Sequence, residues 1–442
     1  MANILLISYD NGSHIPFFPQ NLFYLYQALR NGGHKVGIWF QDIHHGTGPD
    51  LTRLLNDANF DVVAFGFVAG YYQYRVAKQL AAAINLSTKR NKFKFVVGGH
   101  GPAAAPGYFM EVLGCDTVVV GEGEDLGWLD IPGGTYQCEI IDQDEISLGA
   151  YNDFPMDIYR LIRWPTSNRT DFCFPVLSSR GCKWNCSFCY RMRKGFHERD
   201  VKAVMDELKY LHNQYQITHF QFSDELLMGS EKRVEEICES LLALPFKIKW
   251  DCNGRLNYAK KDILQLMRKS GCEYVNYGIE SLNQRLLNEM KKGLTVAQIH
   301  TGILASLEAG LSPGINLIWG FPGDSVDNLW LAVEFLKKYD PCDELRTIRP
   351  VTPYPGTPLF DLAVKDGLLK DVGDFYDNKH KNSDLISVNF MDISTEEAHE
   401  ALLSANTALV KNYLEKRGNR QINSATKMYL QGDTSFRGFR DV

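Results

Sequence analysis

The sequence predicts an α/β protein: a doubly wound parallel sheet, a second βα series behind it, and a helical C-terminal region. Short apolar, β-rich runs alternate with helix-like stretches over residues 1–145, the pattern of a parallel sheet covered on both faces. Six further strand–helix units occupy residues 146–360, too few for a full eight-stranded barrel. Residues 361–442 are helical and charged and read as a cap.

In the first series, Ile4–Ser8 is a strand, followed by an amphipathic helix over Gln20–Asn31 that Gly32 and Gly33 end. Lys35–Phe40 is the second strand, with a helix over Asp50–Asn59. Asp61–Phe67 is the third, with a long helix over Tyr72–Leu86. Phe93–Val97 and Thr117–Val120 complete the series. Sheets of this kind bind ligands at the carboxyl ends of their strands. Those ends are marked by Gly70, by Gly98 and Gly99, and by Gly121-Glu-Gly-Glu124. Glycine there lets a backbone lie close to a ligand, and it equally serves an ordinary tight turn.

In the second series, strands are expected at Pro175–Ser179, His219–Ser223, Lys247–Cys252, Tyr274–Ile279, Gly314–Trp319 and Leu345–Pro350. A helix over Val201–Tyr215 lies between the first two. Another begins with the capping box Thr295-Val-Ala-Gln298, aligns Val296, Ile299, Ile303 and Leu307, and stops at Gly310. Chemistry-bearing residues follow the strands: Asp224 and Glu225, Arg255, Gly278-Ile-Glu-Ser281, Gly320–Asp324 and Tyr354–Pro358. Carboxylates accept from hydroxyl and ammonium donors, and Arg255 can fork onto a carboxylate. A salt-bridge network among the same residues is the competing reading.

Arg180-Gly-Cys-Lys-Trp-Asn-Cys-Ser-Phe-Cys-Tyr190 carries Cys182, Cys186 and Cys189 at C-x3-C-x2-C spacing. Structural zinc takes four protein ligands, usually in two pairs, and no second pair follows; the nearest histidine, His197, lies in a charged stretch. Iron–sulfur clusters are held by thiolates, and three cysteines leave one iron open to an outside ligand. Zinc and a cysteine-rich turn remain the alternatives from spacing alone.

The loop resembles the cluster motif of the radical S-adenosylmethionine (SAM) superfamily, C-x3-C-x-aromatic-C, with Phe188 as the aromatic residue. The resemblance implies a (β/α)6 partial barrel for the second series and a 4Fe–4S cluster on Cys182, Cys186 and Cys189. It implies SAM on the open iron, with Phe188 near its adenine, Asp224, Gly278, Glu280 and Ser281 on its ribose or amino group, and Arg255 on its carboxylate. An α/β domain ahead of this motif is similar to the Rossmann-like domain of cobalamin-binding radical SAM enzymes. The turns Val97-Gly-Gly-His100 and Val119-Val-Gly-Glu-Gly-Glu124 carry that likeness. It implies cobalamin contacts at Asn11, Gly70, Tyr71, Gly98, Gly99, Gly121, Glu122 and Gly123. The chain departs from domains that ligate cobalt through D-x-H-x-x-G: its first loop reads Asp10-Asn-Gly-Ser-His-Ile-Pro16, and Asp42-Ile-His-His-Gly46 is only superficially similar. Cobalt is therefore expected to take no histidine from His14, His44 or His45. Tyr71, Tyr72, Tyr74, Phe17 and Phe18 face corrin or substrate, or else fill the core.

The implied activity is methylation of an unactivated carbon, or of phosphorus, by way of methylcobalamin and a 5′-deoxyadenosyl radical. Cobalamin-dependent cyclisation or rearrangement without methyl transfer is the alternative, and a non-catalytic cobalamin or redox sensor the remote one. Methylthio transfer to RNA needs an extra N-terminal cysteine set, and no cysteine precedes Cys115. The expected partners are a small-molecule or peptide substrate and an electron donor such as flavodoxin or ferredoxin.

Composition agrees. The 442 residues have 45% apolar content, and a net charge of −6 offers no footprint for nucleic acid. The nearest approach to a basic patch is Arg191-Met-Arg-Lys194. The other seven of the ten cysteines are isolated and read as buried hydrophobes in a reducing cytoplasm. No signal peptide is visible, and no run reaches the about 18 apolar residues of a membrane span.

Overall fold

A computed structural model describes the chain except residues 11, 13, 14, 140–143, 145, 146, 193, 194 and 436–442. The first sheet contains β1 (Asn3–Ile7), β2 (Lys35–Trp39), β3 (Val62–Gly66), β4 (Lys94–Gly98), β5 (Thr117–Val120) and β6 (Gly134–Gln137). Every pairing is parallel, in the order β2-β1-β3-β4-β5-β6. The central strands β1, β3 and β4 are almost wholly buried, as continuous apolar runs in a parallel sheet require. The chain reverses between β1 and β3, so the ligand crevice of the fold opens at their carboxyl ends. The helices Gln20–Asn31, Gly48–Asp57 and Tyr71–Asn85 stand within one or two residues of their expected ends. β6 was not anticipated. Its Gly-Thr-Tyr-Gln sequence alternates half-buried and exposed at the sheet edge, so it has no apolar run to announce it.

The second sheet contains β7 (Cys173–Val176), β10 (His219–Phe222), β11 (Lys249–Gly254), β12 (Cys272–Glu280), β13 (Ser312–Trp319) and β14 (Arg349–Pro350). All are parallel, in the order β14-β13-β12-β11-β10-β7, an open six-stranded partial barrel. β8 (Ser179–Cys182) and β9 (Gly195–Glu198) form a separate antiparallel hairpin. The strand expected at Pro175–Ser179 is thus divided between β7 and β8, and the cysteine stretch begins in a strand rather than a loop. Gly181 makes this possible: at φ +82°, a Cβ on it would lie 2.4 Å from the carbonyl oxygen of Gly195. β14 is shorter than expected, because Leu345 is exposed and Arg346 turns to Asp340 and Glu344.

One apolar core runs through both sheets. Ile4, Leu6, Phe18 and Phe23 of the first region pack with Tyr151, Phe154, Phe174 and the barrel interior. Phe23 stacks on Tyr151 at 4.1 Å between ring centroids, and Phe18 meets Phe174 at 4.5 Å. The C-terminal region touches both ends of this assembly. Phe360, Phe375 and Tyr376 join the core of the first sheet beside Phe65, Tyr74 and Phe109. The 37-residue helix Thr395–Gln431 lies on the barrel helix Val326–Tyr339, with Asn406 bonded to the backbone of Ile348.

Candidate functional site

Cys182 is the last residue of β8, paired with Gly195. From there the chain leaves the hairpin and is pinned at its middle. Ser187 N–H donates to the Met290 carbonyl, and the Ser187 carbonyl accepts from Leu359 N–H. Arg191 holds the near side, donating to the Cys182 carbonyl at 3.1 Å and to Asn185 at 2.7 Å. None of the ten cysteines is in a disulfide. Cys189 is exposed at its surface, with protein packed closely around the rest of the side chain. Burial first, then the charges of Cys186, Glu225, Cys182 and Glu280, push its thiol up to about 11. Among the described residues no three His, Cys, Asp or Glu side chains converge on one metal-ion position. Three thiols on one loop, not gathered on a single centre and repelling one another as thiolates, fit a polynuclear iron–sulfur group whose charge relieves the repulsion.

Beside the loop stand most of the residues expected at SAM. Glu280 occupies a β-bulge of β12 at φ +69°, a conformation that a non-glycine residue keeps only when its surroundings impose it. Its buried carboxylate accepts from Lys292 Nζ at 2.8 Å. Gly278 makes room for this pair, since a Cβ there would lie 2.5 Å from Glu280 Oε1 and 2.9 Å from Lys292 Nζ. Arg255 approaches Cys186 Sγ at 3.9 Å, donates to the Lys292 carbonyl, and lies 3.9 Å over the ring of Trp184. Phe188 packs against Leu286, Met290 and Leu359, with Lys292 Nζ 6.0 Å above its ring. Cys186, Phe188, Arg255, Gly278, Glu280 and Lys292 therefore form one group.

Two expected residues have other partners. Asp224 is fully buried and accepts from Ser178 N–H at 2.7 Å and from the Ser178 and Ser179 hydroxyls at 2.6 Å each, so it anchors the root of β8. Burial nevertheless leaves its carboxyl above the ordinary range. Ser281 Oγ accepts from Asn283 N–H in the turn before the helix Gln284–Glu289. Lys292 and Trp184 escaped the sequence reading. Lys291-Lys-Gly293 looks like a solvated charge run, and only the fold carries Lys292 back to Glu280, twelve positions earlier.

At the edge of the first sheet, Gly70 and Tyr71 come after β3, Gly98 ends β4 and Gly99 follows it, and Gly121, Glu122 and Gly123 follow β5. Gly99 has φ +94°, and a Cβ there would meet the Phe67 carbonyl oxygen at 2.6 Å. Gly123 has nothing nearer than 3.7 Å to such an atom. An edge built largely of backbone fits a ligand held by backbone contact, such as a corrin ring. Tyr71 is half-buried, edge-on to His380 at 5.9 Å. Glu122 is buried and turns to Arg180 of β8 at 3.4 Å. Tyr74 and Phe18 fill the core, and Phe17 is half exposed. Asn11 and His14 lie outside the described residues; His45 pairs with Asp10 at 2.9 Å.

The two edges face each other. His100, after Gly99, brings Nε2 to 3.8 Å from Glu225 Oε1 after β10, and its ring meets Tyr190 edge-on at 6.2 Å. Tyr190 also fills the space beside Gly356 and Ala104, which would crowd any Cβ on Gly356. The glycine edge and the thiol-bearing loop thus lie next to each other.

Residues 176–336 match the radical SAM superfamily, and residues 16–126 match the B12 binding domain. An uncharacterized methyltransferase of Pyrococcus horikoshii is 30% identical over 380 residues, which is 79% of each chain. An anaerobic magnesium-protoporphyrin IX monomethyl ester cyclase of Cereibacter sphaeroides is 31% identical over 188 residues, 41% of this chain and 30% of that one. Among solved structures, the cobalamin-dependent SAM radical enzyme OxsB superposes over 97% of this chain and 68% of its own, with a TM-score of 0.71 at 16% identity. The radical SAM methyltransferase TsrM of Kitasatospora setae covers 83% of this chain and 75% of its own, with a TM-score of 0.64 at 17% identity. At those identities the structural matches bear on fold alone.

Proposed function

The chain belongs to the radical SAM superfamily, is a radical SAM enzyme carrying a B12 binding domain, and from that premise we propose that it methylates an unactivated carbon or phosphorus. Its cofactors are a 4Fe–4S cluster, SAM and cobalamin. The observation that carries the reading is that the loop bearing Cys182, Cys186 and Cys189 lies against the glycine edge of the first sheet, through His100, Tyr190 and Glu225. Bound there, the cluster and SAM supply hydrogen-atom abstraction, and cobalamin supplies methyl delivery.

The chain's own residues receive and hold these groups. Cys182, Cys186 and Cys189 are the cluster ligands. Lys292 and Arg255 offer cations to the SAM carboxylate, and Glu280 offers its ammonium an acceptor. Trp184 fixes the Arg255 guanidinium from behind by a cation–π contact. Gly70, Gly98, Gly99, Gly121 and Gly123 bring backbone up to the corrin. Tyr190, His100 and Glu225 stand between the two edges and bring them together. We take 1–145 as the cobalamin-binding unit, 146–360 as the radical SAM unit and 361–442 as a cap over both. A small-molecule or peptide substrate and a low-potential donor such as flavodoxin or ferredoxin complete the reaction. Among the described residues no helix is long and apolar enough to cross a membrane, and ten cysteines without a disulfide suit a reducing cytoplasm.

Cyclisation without methyl transfer is the second reading, favoured by the cyclase relative named above. One experiment addresses both. Anaerobic reconstitution with iron, sulfide and hydroxocobalamin is expected to yield about four irons and stoichiometric corrin per chain, and labelled methyl-SAM then reports transfer. Corrin with no label in any product would favour cyclisation. Iron without corrin would end the cobalamin reading.

A further inference from the structure

Arg180 stands two residues before Cys182 and reaches the glycine edge in space. Both residues lie on β8, so their side chains leave the strand on the same face. Its guanidinium crosses to the other sheet, reaching Glu124 Oε1 at 2.8 Å and Glu122 Oε2 at 3.4 Å in the loop after β5. The same group lies 4.7 Å over the ring of Tyr24, on the helix Gln20–Asn31. Little of this reaches water: the side chains of Arg180, Glu122 and Glu124 are 14%, 4% and 8% exposed. A second buried pair backs it. Arg199 Nη1 donates to Glu207 at 2.7 Å, to the Leu177 carbonyl at 2.6 Å and to the Tyr24 hydroxyl at 3.2 Å. Tyr151 completes this layer by donating to Glu207 at 2.5 Å.

Buried ion pairs of this kind contribute little net stability against an apolar replacement, and their best-attested use is to impose one register on the parts they join. What Arg180 joins is specific. On one side is Gly121-Glu-Gly-Glu124, the turn that borders the glycine edge, and on the other is the strand that ends in Cys182. A second polar contact between the facing strand ends, His100 with Glu225, is 3.8 Å long and a third or more exposed, hence looser and screened.

We infer that Arg180 is a positioning residue that sets the separation between the thiol-bound cluster and the corrin edge through its paired contacts with Glu122 and Glu124. The inference rests on the functional reading above. Its weight comes from the reaction, since a misplacement of about 1 Å between reacting groups can cost about 100-fold in rate.

The test is magnetic and needs no substrate. In the reconstituted full chain, the reduced cluster and cob(II)alamin are both paramagnetic, and the splitting each imposes on the other's EPR signal reports their separation. Arg180→Met is expected to keep the wild-type iron and corrin content but to replace the resolved splitting by a broad distribution. Arg180→Lys should restore it only in part, because an ammonium cannot fork onto two carboxylates. Glu124→Gln, which lies in the loop after β5 and keeps its volume, should broaden the splitting in the same way but less. If Arg180→Met fails to hold its cluster, Glu124→Gln decides alone. Wild-type splitting in a variant with full iron and corrin would overturn the positioning role while leaving the function intact. A wild-type chain that takes up no corrin would overturn the functional reading, and this inference with it.

Discussion

Where the first sheet ends, its carboxyl edge is glycine and half-buried tyrosine, with the nearest carboxylates turned away to Arg180. Where the second sheet ends, the edge is thiol, guanidinium, ammonium and carboxylate, with Arg255, Lys292 and Glu280 within a few ångströms of the Cys186 loop. The first offers shape and backbone, suited to a large flat ligand that is recognised over a broad area. The second offers point charges, suited to a metal group and a zwitterion. A site built from shape should degrade gradually when altered; one built from charges should fail at single atoms.

Substitutions can break this contrast or sharpen it. The largest effect is expected from Cys186→Ala, which should abolish the intact cluster and SAM cleavage while corrin uptake stays at the wild-type level. Iron and corrin assays on one sample measure both. Loss of corrin together with iron would mean that the edges are not independent. Next comes Lys292→Met. Removing one partner of a buried pair strands the Glu280 carboxylate, at a cost of about 3–5 kcal/mol in denaturant unfolding. Lys292→Arg should recover most of it, and unchanged stability in the Met variant would show that Glu280 is satisfied elsewhere.

A third test concerns the C-terminal segment that covers the first sheet. His380 is 2% exposed, stacked on Phe375, and burial holds its imidazole down at about 4. The unfolded chain, with an imidazole near about 6.5, binds more protons than the folded one between these values. The stability it contributes is therefore complete above pH about 6.5 and declines as pH falls toward 4, by about 3 kcal/mol in all. The difference between wild type and His380→Leu in unfolding at pH 7 and at pH 4.5 isolates it; equal slopes would show that the ring is protonated in place. The smallest effect belongs to the glycine edge. Gly99→Ala, at φ +94° against the Phe67 carbonyl, should cost about 1–3 kcal/mol and weaken corrin retention without touching iron content. Unaltered corrin retention at that cost would separate the strain of the turn from ligand binding.

The elements the sequence announced are those whose signal is local. Ile4–Ser8 and Asp61–Phe67 are apolar runs because both faces of a central parallel strand are covered, and Gln20–Asn31 ends at glycine because a helix must stop there. β6 was silent because an edge strand buries little, and the division of β7 from β8 was silent because it depends on Gly181 meeting the backbone of Gly195. Within the candidate site, Glu280 and Arg255 were visible as charged residues after strands, but their partner Lys292 was not. Asp224 was visible too, while its bonds to Ser178 and Ser179 were not.

The sequence by itself determined the two βα series, the three-thiol loop and the glycine-marked strand ends, because periodic burial and metal-ligand spacing are written in neighbouring residues. Only the tertiary structure decided which charges meet. Arg180 reaches Glu122 and Glu124, Lys292 reaches Glu280, and residues after 358 fold back onto the first sheet. Such partners are chosen by the packing of whole sheets, where a buried charge must find its counter-ion wherever the chain has brought one.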